Sequence, residues 1–144
     1  MTPADLSRQP RGVKPDYGGS GILNLAASLI QARGGAIEHP CLEWLPASEL
    51  ARVTNLVLWV IDGLGDLWLS RRSPTGLLAR HRLRALTSVF PSTTASAITT
   101  YLAGDPPVRH GLTGWHTWMG ELACVMTVLP GTPRFGGVSY RAAG

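Results

Sequence analysis

The stretch Leu56-Val57-Leu58-Trp59-Val60-Ile61 is the clearest predicted strand in the chain. Its six residues are all apolar and do not alternate with polar ones, which is typical of a strand buried on both faces. Strands of this kind belong to parallel sheets that are covered by helices on both sides. The strand is predicted to end at Asp62-Gly63-Leu64-Gly65-Asp66, where two glycines allow a sharp turn.

Helical patterns lie on both sides of this strand. A helix is predicted to start at Ser20, which is a good N-cap, and to end before Gly34. A second helix is predicted over 67–80, divided by Pro74 and Gly76, and a short second strand over 84–89. A third helix is predicted from 92 to about 102. Alternation of helices and strands indicates an α/β fold with a mainly parallel sheet.

Composition and charge narrow the class of protein. The chain has 144 residues, of which 44% are hydrophobic and 15% are charged, so disorder is not expected. Its net charge of +4 favours anionic partners such as phosphate esters. No signal peptide and no apolar run of membrane-spanning length is present. We therefore expect a cytoplasmic protein with no membrane partner.

The chain divides into two predicted parts. Residues 1–19 contain three prolines and end in a glycine pair, so they are predicted to form an irregular N-terminal arm. Residues 20–144 carry the helix and strand patterns and are predicted to form one α/β domain.

Asp62 is the first candidate functional residue. Open parallel sheets bind ligands at the carboxyl ends of their strands, which is where Asp62 is predicted to lie. A carboxylate beside a core needs a partner, and a divalent cation is one such partner. Two structural alternatives are that Asp62 caps the following helix or forms an Asx turn with Gly63.

A second candidate is the hydroxyl cluster Ser92-Thr93-Thr94. Hydroxyls at a helix start lie among free backbone N–H groups, at a position that suits phosphate. An alkoxide nucleophile would be stabilised there as well. The structural alternative is that Ser92 or Thr93 is a plain N-cap.

Four segments taken in order carry a family resemblance. They are Val60-Ile61-Asp62-Gly63-Leu64-Gly65, Phe90-Pro91-Ser92-Thr93-Thr94-Ala95, Gly104, and His110-Gly111-Leu112. This series resembles the type I phosphodiesterase/nucleotide pyrophosphatase family of the alkaline phosphatase superfamily. In that family a glycine follows the nucleophile by ten residues, and this spacing to Gly104 selects Thr94 over Thr93 and Ser92.

The resemblance implies both a fold and a mechanism. The fold would be an alkaline-phosphatase-like sandwich with a mainly parallel sheet. The cofactors would be two divalent metal ions, usually zinc, with Asp62 and Thr94 as ligands and Thr94 as the nucleophile. The backbone N–H of Ala95 would hold the phosphoryl oxygens. The reaction would be hydrolysis of phosphodiester or nucleotide pyrophosphate bonds in a small-molecule phosphate ester or nucleotide.

The sequence departs from the family where the remaining metal ligands are expected. After Thr94 the chain has one aspartate, Asp105, and two histidines, His110 and His116, which do not match those ligands. Trp115 stands where many members carry a phosphoryl-binding asparagine. We therefore expect an N-terminal part of the fold, incomplete at the C-terminus and inactive by itself, with residues 138–144 as an interruption.

Two other functions are compatible with the sequence. One is a non-catalytic module that binds phosphate or another anion at the hydroxyl-rich helix start. The other is nucleic-acid binding through the arginines of 71–84, but these are interpreted as a solvated helix face because no aromatic residues interleave with them in a base-stacking pattern. We therefore expect no nucleic-acid partner, and the sequence specifies no oligomeric state.

Overall fold

The computed structural model describes residues 12–137 of the chain. Residues 1–11 of the predicted arm and residues 138–144 at the predicted interruption lie outside the described residues. The helices are α1 (Ile22–Ala32), α2 (Ala47–Leu50), α3 (Asp66–Arg72), α4 (Leu77–Arg80), α5 (Thr94–Ala103) and α6 (Pro107–His110). The strands are β1 (His116–Met119), β2 (Cys124–Thr127) and β3 (Thr132–Pro133), with a 3-10 turn over Gly120–Leu122.

Helix α1 forms as predicted but begins one residue later than expected, because its N-cap is Gly21 rather than Ser20. The fully buried Asn24 fixes this start. Its side-chain oxygen accepts a hydrogen bond from the Gly21 N–H at 3.0 Å. Its amide nitrogen donates to the carbonyls of Tyr17 at 3.0 Å and Pro40 at 2.8 Å. One buried side chain therefore ties the helix start to the segments on both sides of it.

Helices α1 and α5 contact each other and hold most of the buried residues. The buried faces carry small side chains, which allow two helices to approach closely; they are Ala26, Ala27 and Ser28 on α1, and Ala95, Ser96 and Thr100 on α5. Helix α5 ends at Gly104, as predicted, with φ +70°. A Cβ atom there would lie 2.8 Å from Cδ1 of Ile30, so both conformation and space favour glycine.

The predicted mainly parallel, alkaline-phosphatase-like sheet is wrong for the described residues. Residues 56–61 form no strand; Leu56 is half-buried and the other five side chains are exposed, Val57 by 89% and Trp59 by 76%. The sheet of the described residues is three-stranded and antiparallel in the order β1-β2-β3. The predicted second strand forms only an isolated parallel bridge between Thr87 and Gly21.

The error has a physical cause. An unbroken apolar run indicates a segment that burial on both faces would stabilise. The run carries no information on which strands would lie beside it. Nothing among residues 12–137 pairs with residues 56–61, and no residue from 51 to 85 is buried. The antiparallel sheet forms instead where Gly120 and Gly131 lie in the turns between short strands near the end of the described range.

The other predicted helices are confirmed. The pattern over 67–80 forms α3 and α4, which are separated at Pro74 and Gly76 as expected. The pattern over 92–102 forms α5, whose first helical residue is Thr94.

Candidate functional site

Asp62 lies in a tight turn that follows the extended apolar segment. Gly63 has φ +75°, a conformation that favours glycine. The Leu64 N–H donates to the Ile61 carbonyl at 3.3 Å, and the Gly65 N–H donates to the Gly63 carbonyl at 3.2 Å. These bonds close the chain around Asp62 and leave its side chain exposed.

The three hydroxyls before α5 have different roles. Thr93 is the N-cap, and its Oγ1 accepts a hydrogen bond from the Ser96 N–H at 3.3 Å. The same oxygen lies 3.0 Å from the Ser96 hydroxyl. The interpretation of Thr93 as a plain N-cap is therefore confirmed. Thr94, which is not used as the cap, remains the candidate that the glycine spacing selected.

The fold brings Asp62 and Thr94 together. The Thr94 hydroxyl donates a hydrogen bond to Oδ2 of Asp62 at 3.1 Å, across 32 residues of sequence. Helix α3 begins from Gly65 without a side-chain cap, so the alternative in which Asp62 caps that helix is wrong. A carboxylate that accepts a hydrogen bond from a hydroxyl can orient it and receive its proton.

The backbone N–H groups of Thr94 and Ala95 lie next to the Thr94 side chain. Thr94 and Ala95 occupy the first two positions of α5, where the helix itself supplies no acceptor for their N–H groups. These groups lie at the positive end of the helix dipole, which favours negative charge. Ala95 is fully buried, so packing against the body of the protein fixes its position.

The predicted metal ions have few ligands here. Among residues 12–137, no group of three or more His, Cys, Asp or Glu side chains could hold a metal ion. Asp62 and Thr94 supply two oxygen atoms, whereas a catalytic zinc ion takes about three protein ligands. The donors in the described part of the chain therefore do not fit a two-metal centre.

Asp66, four residues beyond Asp62, has a different partner. Both nitrogens of the Arg82 fork, Nε and Nη2, donate to its carboxylate. The hydrogen bond from Arg82 lowers the pKa of Asp66, whose side chain is partly exposed. This pairing joins the start of α3 to the segment after α4.

His110, predicted from the family pattern, packs against α5. Its Nδ1 accepts the Leu112 N–H at 3.1 Å, and its Nε2 lies 3.3 Å from the Thr100 hydroxyl. Burial is the main cause that lowers the pKa of His110. The residue therefore holds the chain, where α6 turns back at Gly111, against Ser96 and Thr100 of α5.

A charged cluster that the sequence did not reveal lies at the other end of α5. Nε2 of His39 lies 3.0 Å from Oδ1 of Asp105, and Arg109 bonds to Glu38 at 2.7 Å and to Asp105 at 3.4 Å. The cluster borders a cavity of about 540 Å³. The four-residue spacing of Asp105 and Arg109 could have indicated an ion pair between them. Nothing in the sequence indicated that these two residues contact Glu38 and His39.

Comparisons with family models, with curated proteins and with solved structures return no significant match. Within residues 12–137, no helix has both the length and the apolar character needed to cross a membrane.

Proposed function

We propose that Asp62 and Thr94 form the reacting pair of a phosphoester hydrolase, with Thr94 as the nucleophile. The substrates we propose are small-molecule phosphodiesters or nucleotide pyrophosphates, met in the cytoplasm. One observation carries the proposal, namely the 3.1 Å hydrogen bond from the Thr94 hydroxyl to the Asp62 carboxylate. Residues of unrelated local structure come into contact there. Asp62 was selected for its position after an apolar run, and Thr94 by the glycine spacing of the family resemblance.

The proposed reaction uses these two side chains directly. The Thr94 oxygen attacks phosphorus and forms an O–P bond while its proton passes to Asp62. The bond from phosphorus to the leaving oxygen breaks in the same step, and that group departs as an alkoxide or phosphate. The N–H groups of Thr94 and Ala95 lie where they can stabilise the charge on the phosphoryl oxygens. Water then hydrolyses the phosphothreonine ester.

Divalent ions remain a proposal for a site with further ligands. Asp62 is an oxygen ligand of the kind that such ions accept, but the described residues supply too few donors for a catalytic zinc centre. No step of the proposed reaction depends on an ion.

The proposal is tested by the release of p-nitrophenol from bis-p-nitrophenyl phosphate, measured with and without zinc or manganese. We expect a single stoichiometric burst without sustained turnover, because hydrolysis of the phosphothreonine ester is slow; this agrees with the expectation that the chain is not an active enzyme by itself. Thr94→Ala should abolish the burst, and Asp62→Asn should slow it by about a hundredfold. Thr99→Ala, the same change further along α5, is the matched control and should leave the burst intact. A burst of normal size in Thr94→Ala would exclude Thr94 as the nucleophile.

A second candidate function is phosphate binding without chemistry. The observation that favours it is the pair of backbone amides at the start of a ten-residue helix. Against it, the Asp62 carboxylate contacts the Thr94 hydroxyl and would repel an anion bound there. This function predicts that inorganic phosphate raises the melting temperature without metal, and more strongly in Asp62→Asn than in the natural chain. An unchanged melting temperature in both proteins would exclude it.

A further inference from the structure

Residues 56–61 form an extended segment whose backbone has almost no protein partner. No backbone N–H of these six residues donates a hydrogen bond within the described part of the chain. Of their carbonyls, only that of Ile61 accepts a hydrogen bond from the backbone of residues 12–137, namely from the Leu64 N–H in the adjoining turn. A row of free donors and acceptors in an extended chain is a template for another strand.

The side chains of this segment are all apolar, and five of the six are exposed. Val57 is 89% exposed and Trp59 76% exposed, Leu58, Val60 and Ile61 are exposed as well, and Leu56 is half-buried. Further exposed apolar side chains lie on the helices and loop that follow, namely Leu67, Trp68, Leu77, Leu78 and Leu83. A continuous apolar region of this kind marks an interaction site, because its exposure to water is unfavourable.

The net charge of residues 51–85 indicates which kind of partner would bind the apolar segment. Residues 51–85 contain six arginines against two aspartates and no glutamate or lysine, a net charge of +4. This equals the formal charge of the whole chain, so the excess positive charge lies within residues 51–85, and Arg82 and Arg84 line a pocket together with Trp59 and Ile61 of the segment. A second copy of the same region would be repelled, whereas an acidic partner would be attracted.

The free backbone groups of residues 56–61 favour a polypeptide partner over a lipid surface. A membrane would accept the apolar side chains and the arginines, but its hydrocarbon offers no partner for the free N–H and C=O groups. A β-strand satisfies those groups and covers the side chains at the same time.

We propose that residues 56–61 bind an extended apolar strand with acidic flanks. A separate polypeptide supplies this strand, because residues 1–11 and 138–144 of this chain each carry a net charge of +1 and do not match the required acidic flanks. The strand adds along the free edge of the segment, and its acidic flanks lie against the arginines of 71–84. This interaction is independent of the proposed reaction of Asp62 and Thr94, so either can fail without the other.

The probe is a short synthetic peptide with an apolar run of valine and isoleucine between glutamates. Its binding to the full chain is measured by calorimetry, and amide hydrogen exchange locates the binding site. We expect protection of residues 56–61, and affinity at least about tenfold higher than for the same peptide with lysine flanks. A peptide with alternate amides N-methylated should not bind, because it loses the donors of the ladder.

Proline substitutions test the same contact from the side of the protein. Val57→Pro removes one backbone donor at a residue that is 89% exposed, so the folded body should tolerate it, and peptide binding should be lost. Val13→Pro, at a residue 81% exposed outside the segment, is the matched control and should bind normally. Three results would overturn the proposal: unchanged binding by Val57→Pro, protection of residues 56–61 only in a dimer of the chain, or binding to phosphatidylserine vesicles but not to the peptide.

Discussion

Two regions of the chain use apolar residues in opposite ways. The body built from α1 and α5 buries small side chains around Leu23 and Ala95, with Asn24 fully bonded inside it. Residues 51–85 contain the most continuous apolar run of the sequence, yet none of them is buried. The comparison teaches that apolar content indicates a need for burial, whereas burial itself depends on packing partners.

The candidate site lies where the two regions meet. Thr94 belongs to the packed body, as the first residue of α5, and Asp62 belongs to the exposed region. Their hydrogen bond therefore joins a fixed hydroxyl to a carboxylate on a segment with few other contacts.

The largest expected effect is a difference in unfolding free energy between two leucine-to-alanine variants, one from each region. Leu23→Ala removes a fully buried side chain from α1 and should lower the free energy of unfolding by about 3 kcal/mol. Leu83→Ala removes a side chain that is 69% exposed and should change it by less than about 0.5 kcal/mol. Urea denaturation of both variants measures the difference. Equal losses would show that residues 51–85 are packed in solution, which would break the comparison.

The second effect concerns the buried amide that fixes the start of α1. Asn24→Ala leaves the Gly21 N–H and the carbonyls of Tyr17 and Pro40 without their partner, at a cost of about 2 kcal/mol. Asn55→Ala, at an exposed residue in the other region, is the control and should be nearly neutral. The same denaturation experiment applies. A neutral Asn24→Ala would mean that the three hydrogen bonds do not hold the helix start.

A smaller effect is expected at the glycine that ends α5. Gly104→Ala places a side chain at φ +70°, close to Ile30 and Ile37, and should cost about 1–2 kcal/mol. Gly65→Ala in the exposed region has a negative φ and no atom within 4 Å of the new Cβ, so it loses only the preference for glycine over alanine at the N-cap of α3, about 0.5 kcal/mol. Thermal unfolding followed by circular dichroism distinguishes the two. A more harmful Gly65→Ala would contradict the assigned conformations.

The smallest effect is a dependence of stability on pH. Burial lowers the pKa of His110 below its ordinary value of 6.5, so the unfolded chain binds the proton more tightly than the folded chain. The contribution of His110 to stability is therefore full above about pH 6.5 and is lost as the pH falls through the lowered pKa. Unfolding free energies measured across this range should fall less steeply in His110→Gln than in the natural chain. Identical slopes would exclude His110 as the source.

The parts of the fold that depend on local pattern were predictable. Helix α1 follows from apolar spacing and from the glycine after its end, and α5 follows from the hydroxyl residues at its start and from Gly104 at its end. The division between α3 and α4 follows from Pro74 and Gly76. The sheet was not predictable, because strand pairing depends on residues far apart in sequence. Residues 56–61 have the composition of a buried strand, but within the described residues no strand pairs with them.

The two residues of the candidate site were predictable, but the ion pairs and contacts made by other residues were not. Asp62 was selected by its position after an apolar run, and Thr94 was selected among three hydroxyls at a helix start by the glycine spacing of the resembled family. The two side chains do contact each other. The Arg82–Asp66 pair and the contact of His39 with Asp105 depend on how loops return to the helices, which no local spacing encodes. The metal ions and the catalytic roles stay predictions.

The central claim is that the Thr94 hydroxyl, oriented by Asp62, accepts a phosphoryl group. The most direct measurement is mass spectrometry of the chain after reaction with bis-p-nitrophenyl phosphate and acid quenching, with peptide mapping of the added mass. The account predicts an aryl phosphate ester on Thr94 that is absent from Thr94→Ala and greatly reduced in Asp62→Asn. An ester on Ser92 or Thr93, or one that forms equally well in Asp62→Asn, would contradict it.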